Sequence, residues 1–181
     1  MKHLGTKLLH TERLTLRRIY KEDAKEIFLG FVNQEEFIYY MNKKKRTLEE
    51  QINSLKNIDK IYEHIDYYNW VITLKDTIEI IGTTSFNVFE SNDCVELNYA
   101  LDNRFRGNGY MTEAINKLIN FAFNELLVKR VIGQCVIENT PSKKVLERCN
   151  FFYNTKLNSA IKLCDGYHDS YLFEKINRAL H

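Results

Sequence analysis

Apolar and polar residues alternate with two different periods along the chain, and each change of period marks a predicted element. Residues 13–17 alternate with period two and predict a strand, and the acidic residues after Lys21 suit the first turn of a helix. Residues 47–50 have the T-x-x-E form of a capping box, and apolar residues then recur at steps of three up to Ile61. This half of the chain therefore predicts a strand followed by two helices.

Three strands are predicted in the middle of the chain. Residues 70–74 and 78–88 flank a polar break and predict a β-hairpin, with Gly82 at a bulge. Residues 94–101 predict a third strand, which has one polar and one apolar face because its side chains alternate. The polar face comprises Glu96, Asn98 and Ala100. A ligand could lie on this polar face.

Helices and strands are also interleaved in the second half. The predicted elements are a helix through residues 115–123, a strand over 130–137, a short helix over 143–148, and strands over 151–156 and 170–176. Interleaving of this kind favours a mixed α/β sheet. No internal repeat or low-complexity segment interrupts the pattern.

Length and charge limit the classes of function. The 181 residues suit a single domain over 1–181, and 26 basic against 24 acidic residues leave a formal charge of +2. The basic run at residues 43–46 is typical of a solvated loop, so we expect neither nucleic-acid nor membrane binding. The start of the chain lacks the apolar run of a signal peptide, and we expect a cytoplasmic protein.

The cysteines give no sign of a metal site. All four are far apart in sequence, without a C-x-x-C pair or a nearby histidine that would complete a zinc ligand set. They are Cys94, Cys135, Cys149 and Cys164. We expect ordinary thiols and no metal.

The stretch NRFRGNGYMTEA, residues 103–114, carries the strongest sign of a ligand. A hairpin turn at Asn108-Gly109 would need a strand on both sides, but the following residues have helical period. A dinucleotide fingerprint would need glycine at Thr112, and a nucleotide-triphosphate loop would need G-K-[ST]. The remaining interpretation is a glycine loop whose backbone N–H groups bind a pyrophosphate at a helix N-terminus, with arginines beside it.

These residues resemble the acetyl-CoA pyrophosphate loop of the GCN5-related N-acetyltransferases (GNAT), whose pattern is Q/R-x-x-G-x-G/A. The run Gly107 to Ala114 is similar to the branch that contains the ribosomal-protein N-terminal acetyltransferases. Residues 11–17 resemble the opening of that branch, 96–99 its central strand and 139–151 its N-x-x-S…L-E-K-x-G-F segment. The pieces occur in the family's order and cover nearly the whole chain.

The resemblance implies a fold, a reaction and a cosubstrate. The fold would be a mostly antiparallel, twisted sheet, splayed at the middle and flanked by helices on both faces. The reaction would be direct transfer of acetyl from acetyl-CoA to a primary amine, with no metal. The protein would act as a monomer or a homodimer.

The resemblance also implies the site residues. Glu96 would be the general base and Ser142 would hydrogen-bond the CoA sulfur or relay a proton to it. The expected acetyl-CoA contacts are Tyr99, Ala100, Leu101, Arg104, Arg106, Gly107, Asn108, Gly109, Tyr110, Met111, Asn139, Ser142 and Lys144. Leu146 stands where many relatives outside this branch carry a tyrosine acid. Asn150 stands where the family usually has glycine, and Asn tolerates the left-handed conformation.

Several alternatives remain open on sequence alone. Glu96 could be an ordinary strand carboxylate, and Ser142 or Asn139 could cap a helix around Pro141. The aromatic-rich segments 37–41 and 62–70 could form the acceptor pocket or the core. An acyl-CoA-binding sensor without turnover would carry the same glycine loop. The acceptor could be a protein N-terminus, a polyamine, an antibiotic or another amine.

Overall fold

The computed structural model of the protein describes residues 1–180. Within this range eight strands form a single sheet in the order β1-β2-β3-β4-β5-β6-β8-β7. The strands are β1 (Leu9–His10), β2 (Leu14–Arg17), β3 (Tyr68–Leu74), β4 (Ile80–Phe89), β5 (Cys94–Leu101), β6 (Arg130–Val136), β7 (Phe152–Leu163) and β8 (Gly166–Ile176). Neighbouring strands pair antiparallel except β5 and β6, which pair parallel.

Six α-helices connect the strands of the described chain. They are α1 (Ala24–Gly30), α2 (Glu35–Tyr40), α3 (Leu48–Ser54), α4 (Ile58–Ile61), α5 (Tyr110–Asn124) and α6 (Thr140–Arg148). Over residues 1–180, none of the helices combines the length and the apolar character that a membrane crossing requires.

The helices cover both faces of the sheet, because neighbouring strand residues point to opposite sides. Trp70 is fully buried in the core cluster that contains α5, together with Phe86 and Leu118. Val71, the next residue, is buried in a second cluster that includes Ile27 of α1. The predicted mixed α/β sheet with helices on both faces is therefore confirmed.

The sheet opens between β5 and β6. These strands are paired only at Cys94–Arg130, Val95–Val131 and Glu96–Ile132 within the described structure. Beyond Glu96, β5 stays paired with β4 as far as Leu101, and β6 stays paired with β8 as far as Val136. One edge of residues 97–101 therefore faces the gap between the diverging strands, which confirms the predicted splay.

Local signals in the sequence placed most elements correctly. The capping box before α3 is confirmed: the Thr47 hydroxyl accepts from the Glu50 N–H at 3.1 Å, and the Glu50 carboxylate accepts from the Thr47 N–H at 2.7 Å. Asn150 adopts the expected left-handed conformation, with φ 57°. The strand register shifts beside Gly82, where an added Cβ would collide with the Ala100 carbonyl oxygen.

Two predicted boundaries were wrong. The helix expected from residue 47 to Ile61 is divided into α3 and α4, because the Ser54 hydroxyl donates to the Gln51 carbonyl at 2.7 Å and competes with continuation of the helix. The last two strands are longer than expected, since β7 and β8 pair with each other out to the turn at Gly166. Neither the short β1 nor α2 was predicted.

Candidate active site

A cavity of about 670 Å³ fills the opening between β5 and β6. Its walls are the free edge of β5, the loop before α5, the first turn of α6, and α2. The predicted site residues line this cavity with the exception of Arg104 and Asn108. The tertiary structure thus gathers residues that lie far apart in the sequence.

The glycine loop joins β5 to α5. Gly107 and Gly109 have φ values of 84° and 77°, which an L side chain rarely adopts, so both positions favour glycine. Asn108 stabilises the turn from outside the cavity, because its side-chain amide donates to the carbonyls of Phe105 and Arg106, each at 3.1 Å. Gly109 is the N-cap of α5, so the loop meets the positive end of a 15-residue helix dipole.

Two hydroxyl groups, one from β5 and one from α6, meet at the cavity. The Tyr99 hydroxyl lies 2.8 Å from Ser142 Oγ and donates to the Ser142 carbonyl at 3.1 Å. Burial raises the pKa of Tyr99, so the phenol stays protonated at neutral pH. Cys135 lies nearby on β6, and burial raises the pKa of this thiol to about 11. The cluster is therefore a set of neutral hydrogen-bonding groups rather than a thiolate site.

Glu96 lies at the point where the sheet opens. It is the last residue of β5 that pairs with β6, and its half-buried side chain lines the cavity. Its carboxylate accepts from the Asn87 amide at 3.0 Å. The other carboxylate oxygen of Glu96, Oε1, can accept a proton within the cavity.

The first turn of α6 adds polar groups to the wall. The Asn139 side-chain oxygen accepts from the Ser142 N–H at 3.1 Å, so the predicted capping role belongs to Asn139. Because this bond uses only the main-chain N–H of Ser142, the Ser142 hydroxyl remains available to Tyr99. Lys144 also lines the cavity and brings a positive charge to the same wall.

The structure does not bring Arg104 to the cavity. Its guanidinium forms a 2.7 Å ion pair with the fully buried Asp102 and lies 3.6 Å from Glu79. Burial favours a raised pKa at Asp102, but the bonds from Arg104 and Gln34 outweigh it and lower this pKa below its ordinary value. The positive charge of Arg104 therefore neutralises the buried Asp102 carboxylate and is not directed to the cavity.

Helix α2 forms a wall that sequence reasoning left undecided. Phe37, Tyr40 and Met41 face the cavity, as does Glu36. The other aromatic-rich segment belongs to the core instead, because Tyr62, Tyr68 and Trp70 are buried. The aromatic run at residues 37–41 was the available signal, but apolar residues on a short segment do not distinguish a pocket wall from a core.

Polar contacts at three points hold α2 over the cavity. At its start, the Gln34 amide donates to Asp102 at 2.9 Å, and its oxygen accepts from the Asn103 N–H at 3.1 Å. Along the helix, Glu36 forms an ion pair with Arg106 of the glycine loop. Tyr39 donates to Asp165 at 3.1 Å, on the turn between β7 and β8. None of the residues of α2 itself is buried.

Leu146 lies behind the wall rather than in the cavity. It is fully buried and packs against Gly133 of β6, where an added Cβ would collide with the leucine side chain. Leu146 therefore packs in the core and places no acidic group in the cavity. The hydroxyls of Tyr99 and Ser142, which contact each other at 2.8 Å, are O–H donors that do line the cavity.

No group of three or more histidine, cysteine, aspartate or glutamate side chains within residues 1–180 is placed to hold a metal ion.

Comparison with known proteins gives one family. A sequence model of the acetyltransferase (GNAT) domain matches residues 13–151. The uncharacterized N-acetyltransferase p20 of Bacillus licheniformis is 31% identical over 172 residues, which cover 94% of this chain and 96% of that protein. The ribosomal-protein-serine acetyltransferase of Escherichia coli (strain K12) is 32% identical over 99 residues, covering 54% of this chain and 55% of the relative.

A solved structure agrees with the sequence relatives. The microcin C7 self-immunity acetyltransferase MccE, crystallised in complex with acetyl-CoA and AMP, is 27% identical to this chain and superposes with a TM-score of 0.79. The superposition covers 91% of this chain and 93% of the MccE chain. The splayed sheet, the glycine loop at the N-terminus of α5 and the match over most of the chain agree, and the protein belongs to the GNAT acetyltransferase family.

Proposed function

We propose that this protein transfers acetyl from acetyl-CoA directly to a primary amine, at the N-terminus of a peptide or protein or on a small molecule. One observation carries the proposal: a single cavity contains the free edge of β5, the glycine loop, the Tyr99–Ser142 hydroxyl pair and the Glu96 carboxylate. All of these lie on one sheet and its helices, so we propose that residues 1–181 act as one acetyltransferase domain.

The donor wall, defined as residues 106–112 with 139–145, suits acetyl-CoA. Gly107 and Gly109 leave the backbone open to a diphosphate at the N-terminus of α5, where the helix dipole favours negative charge. Lys144 adds positive charge from α6, and Arg106, which pairs with Glu36, lies in the glycine loop. The free N–H and C=O groups along residues 99–101 can pair with the amides of the pantetheine arm.

The acceptor wall, defined as Glu36, Phe37, Tyr40 and Met41, lines the same cavity as the hydroxyl pair. Its aromatic rings suit a protonated amine through cation–π contact, and Glu36, which pairs with Arg106, adds negative charge beside them. The relative in Escherichia coli is named for a ribosomal-protein serine, and this supports testing protein N-termini first.

The reaction requires two proton transfers. Glu96 accepts a proton from the acceptor ammonium, directly or through water, and the freed amine then attacks the thioester carbonyl. A C–N bond forms and the C–S bond breaks, so the attacking nitrogen must lose a proton and the leaving thiolate must gain one. Ser142 hydrogen-bonds the leaving sulfur or relays this proton to it, while Tyr99 donates to Ser142 Oγ.

The basicity of the acceptor decides how much Glu96 contributes. An ε-amine with pKa about 10.4 is neutral in only about four molecules in ten thousand at pH 7, whereas an α-amine with pKa about 8 is neutral in about one in ten. Removing the base should therefore reduce the rate more for an ε-amine or a polyamine than for a peptide N-terminus.

Acceptor-dependent release of CoA thiol tests the proposal. The substrates are peptide N-termini, polyamines, aminoglycosides and amino acids, assayed with the wild type, Glu96→Gln and the control Glu90→Gln, an exposed carboxylate paired with His3 outside the cavity. We expect release with one acceptor class, a loss of about 100-fold in Glu96→Gln and no loss in Glu90→Gln. Calorimetric binding of CoA without release for any acceptor would favour the sensor alternative.

A further inference from the structure

Arg13 lies directly before β2 and reaches the glycine loop from the side away from the cavity. Its guanidinium Nη1 donates to the Asn108 carbonyl at 3.0 Å. The same guanidinium stacks 4.6 Å from the ring centroid of Tyr110, the first residue of α5. Arg13 is not among the residues that line the cavity.

Glu113 of α5 fixes the orientation of this guanidinium. The Glu113 carboxylate accepts from Arg13 Nε at 2.7 Å and from the Arg13 main-chain N–H at 2.9 Å, and Thr11 donates to it at 2.5 Å. Burial favours a raised pKa at Glu113, but the bonds from Thr11 and Arg13 outweigh it and lower this pKa. The carboxylate therefore remains charged, and the planar guanidinium is held at two edges.

The contact with Asn108 acts on one peptide plane of the loop. In a trans peptide, the C=O of one residue and the N–H of the next point in opposite directions. Arg13 binds the Asn108 carbonyl from outside the cavity, so the Gly109 N–H is turned toward the cavity that Gly109 lines. Gly109, with φ 77°, has no side chain to restrict rotation of this plane, so an external contact is needed to hold it.

We infer that Arg13 is a positioning residue of the donor site, which holds the Asn108–Gly109 peptide so that its N–H is oriented to bind the diphosphate of acetyl-CoA. The inference rests on the proposed function, because it requires that the donor wall binds acetyl-CoA. Arg13 acts through the loop and does not touch the substrate.

Arg17, the last residue of β2, is a matched control. It donates to Asp23 through Nη1 and Nη2, at 2.6 and 2.9 Å, and stacks 5.0 Å from the ring centroid of Tyr20. It has the same kind of carboxylate pair and the same kind of aromatic contact as Arg13, but it contacts a different part of the fold. Each arginine also donates to one main-chain carbonyl at 3.0 Å, Arg13 to that of Asn108 in the glycine loop and Arg17 to that of Arg18 outside it.

The test compares Arg13→Met, Arg13→Lys and Arg17→Met with the wild type. Calorimetry with CoA gives Kd, and steady-state kinetics give kcat/KM for acetyl-CoA and for S-acetylpantetheine, a donor that lacks the diphosphate. Arg13→Met removes the charge-assisted hydrogen bond to the Asn108 carbonyl together with the Glu113 pair, and loss of the Asn108 contact should raise the Kd by about tenfold. We expect a smaller rise in Arg13→Lys, no rise in Arg17→Met, and no loss of kcat/KM for S-acetylpantetheine in any variant.

Each alternative gives a different result. The inference would be wrong if Arg13→Met lost kcat/KM equally for acetyl-CoA and S-acetylpantetheine. It would also be wrong if Arg17→Met bound CoA as weakly as Arg13→Met. Either result would mean that Arg13 only stabilises the fold. Thermal melting reports whether Arg13→Met folds. If it does not fold, Arg13→Lys serves as the test because it keeps the positive charge. A wild-type Kd for CoA in Arg13→Lys would contradict the need for a planar guanidinium. Absence of CoA binding in the wild type would instead overturn the proposed function.

Discussion

The donor wall and the acceptor wall face the same cavity but differ in how they are held. α5, behind the donor wall, buries seven residues including Ile115 and Leu118, whereas α2 buries none. The donor wall is a fixed loop on a packed helix, and the acceptor wall is a short helix secured by polar contacts at Gln34, Glu36 and Tyr39. This difference suits the proposed function, in which the donor wall binds acetyl-CoA and the acceptor wall binds the amine.

The largest expected effect follows from changing the backbone of the donor wall. Gly109→Val places a β-branched residue at φ 77°, which costs about 1–3 kcal/mol of strain or forces the loop to move. Since the loop would then lose the orientation of its N–H groups, the Kd for CoA should rise by about tenfold to hundredfold. Calorimetry with CoA measures the change.

A control separates strain from loss of the site. Gly5→Val introduces a similar residue at φ 66°, beside Ile65 and outside the cavity. It should lower Tm without weakening CoA binding. Equal weakening in both variants would show that the donor wall depends on overall stability rather than on its own backbone.

A smaller effect is expected at the hydroxyl pair. Tyr99→Phe removes the hydrogen bond to Ser142 and leaves the serine hydroxyl with one fewer buried partner, so kcat should fall by about tenfold while the KM for acetyl-CoA changes little. Because burial raises the pKa of Tyr99, this phenol does not ionise between about pH 6 and 9, and the wild-type rate should show no basic limb from Tyr99. Single-turnover rates across this pH range test both statements.

The core supplies the control for this prediction. Tyr68 is buried, and its hydroxyl accepts from the Leu4 N–H at 3.1 Å. Tyr68→Phe should therefore lower Tm and leave kcat unchanged. A tenfold loss of kcat in both variants would assign the effect to general packing.

A change in the acceptor wall should affect the second substrate alone. Phe37 is half-buried and packs edge-on against Phe31 with ring centroids 5.5 Å apart. Phe37→Ala should raise the KM for the acceptor by about fivefold, because part of an apolar contact is lost. The Kd for CoA, measured alongside, should stay at its wild-type value, and a parallel rise would show that the two walls act as one unit.

The smallest effect is expected where α2 meets the β7–β8 turn. Tyr39→Phe removes one exposed hydrogen bond to Asp165 and keeps the ring contact with His168. Tm should shift by less than about 2 °C, and the acceptor KM should change by about twofold at most. If the acceptor KM changed more in Tyr39→Phe than in Phe37→Ala, the order of importance proposed for these two contacts would be reversed.

The sequence predicted the donor wall better than the acceptor wall. Gly107 and Gly109 are informative because positive φ and an open backbone leave few alternatives to glycine, and the helical period after Tyr110 gives the direction of α5. Phe37, Tyr40 and Met41 carried no comparable signal, since aromatic residues pack equally well in a core. Arg104 resembled a phosphate-binding residue in sequence, but the structure pairs it with the buried Asp102.

The sequence by itself determined the order of most strands and helices, the cap at Thr47, the left-handed position at Asn150 and the glycine loop. These are decided by backbone dihedral limits and hydrogen bonds among near neighbours, which a local pattern records. Only the tertiary structure decided that β5 separates from β6 after Glu96, that Ser142 meets Tyr99, and that Arg13 lies behind the loop. Those contacts join residues 43 and 95 positions apart, and they arise from packing across the sheet, which no local period encodes.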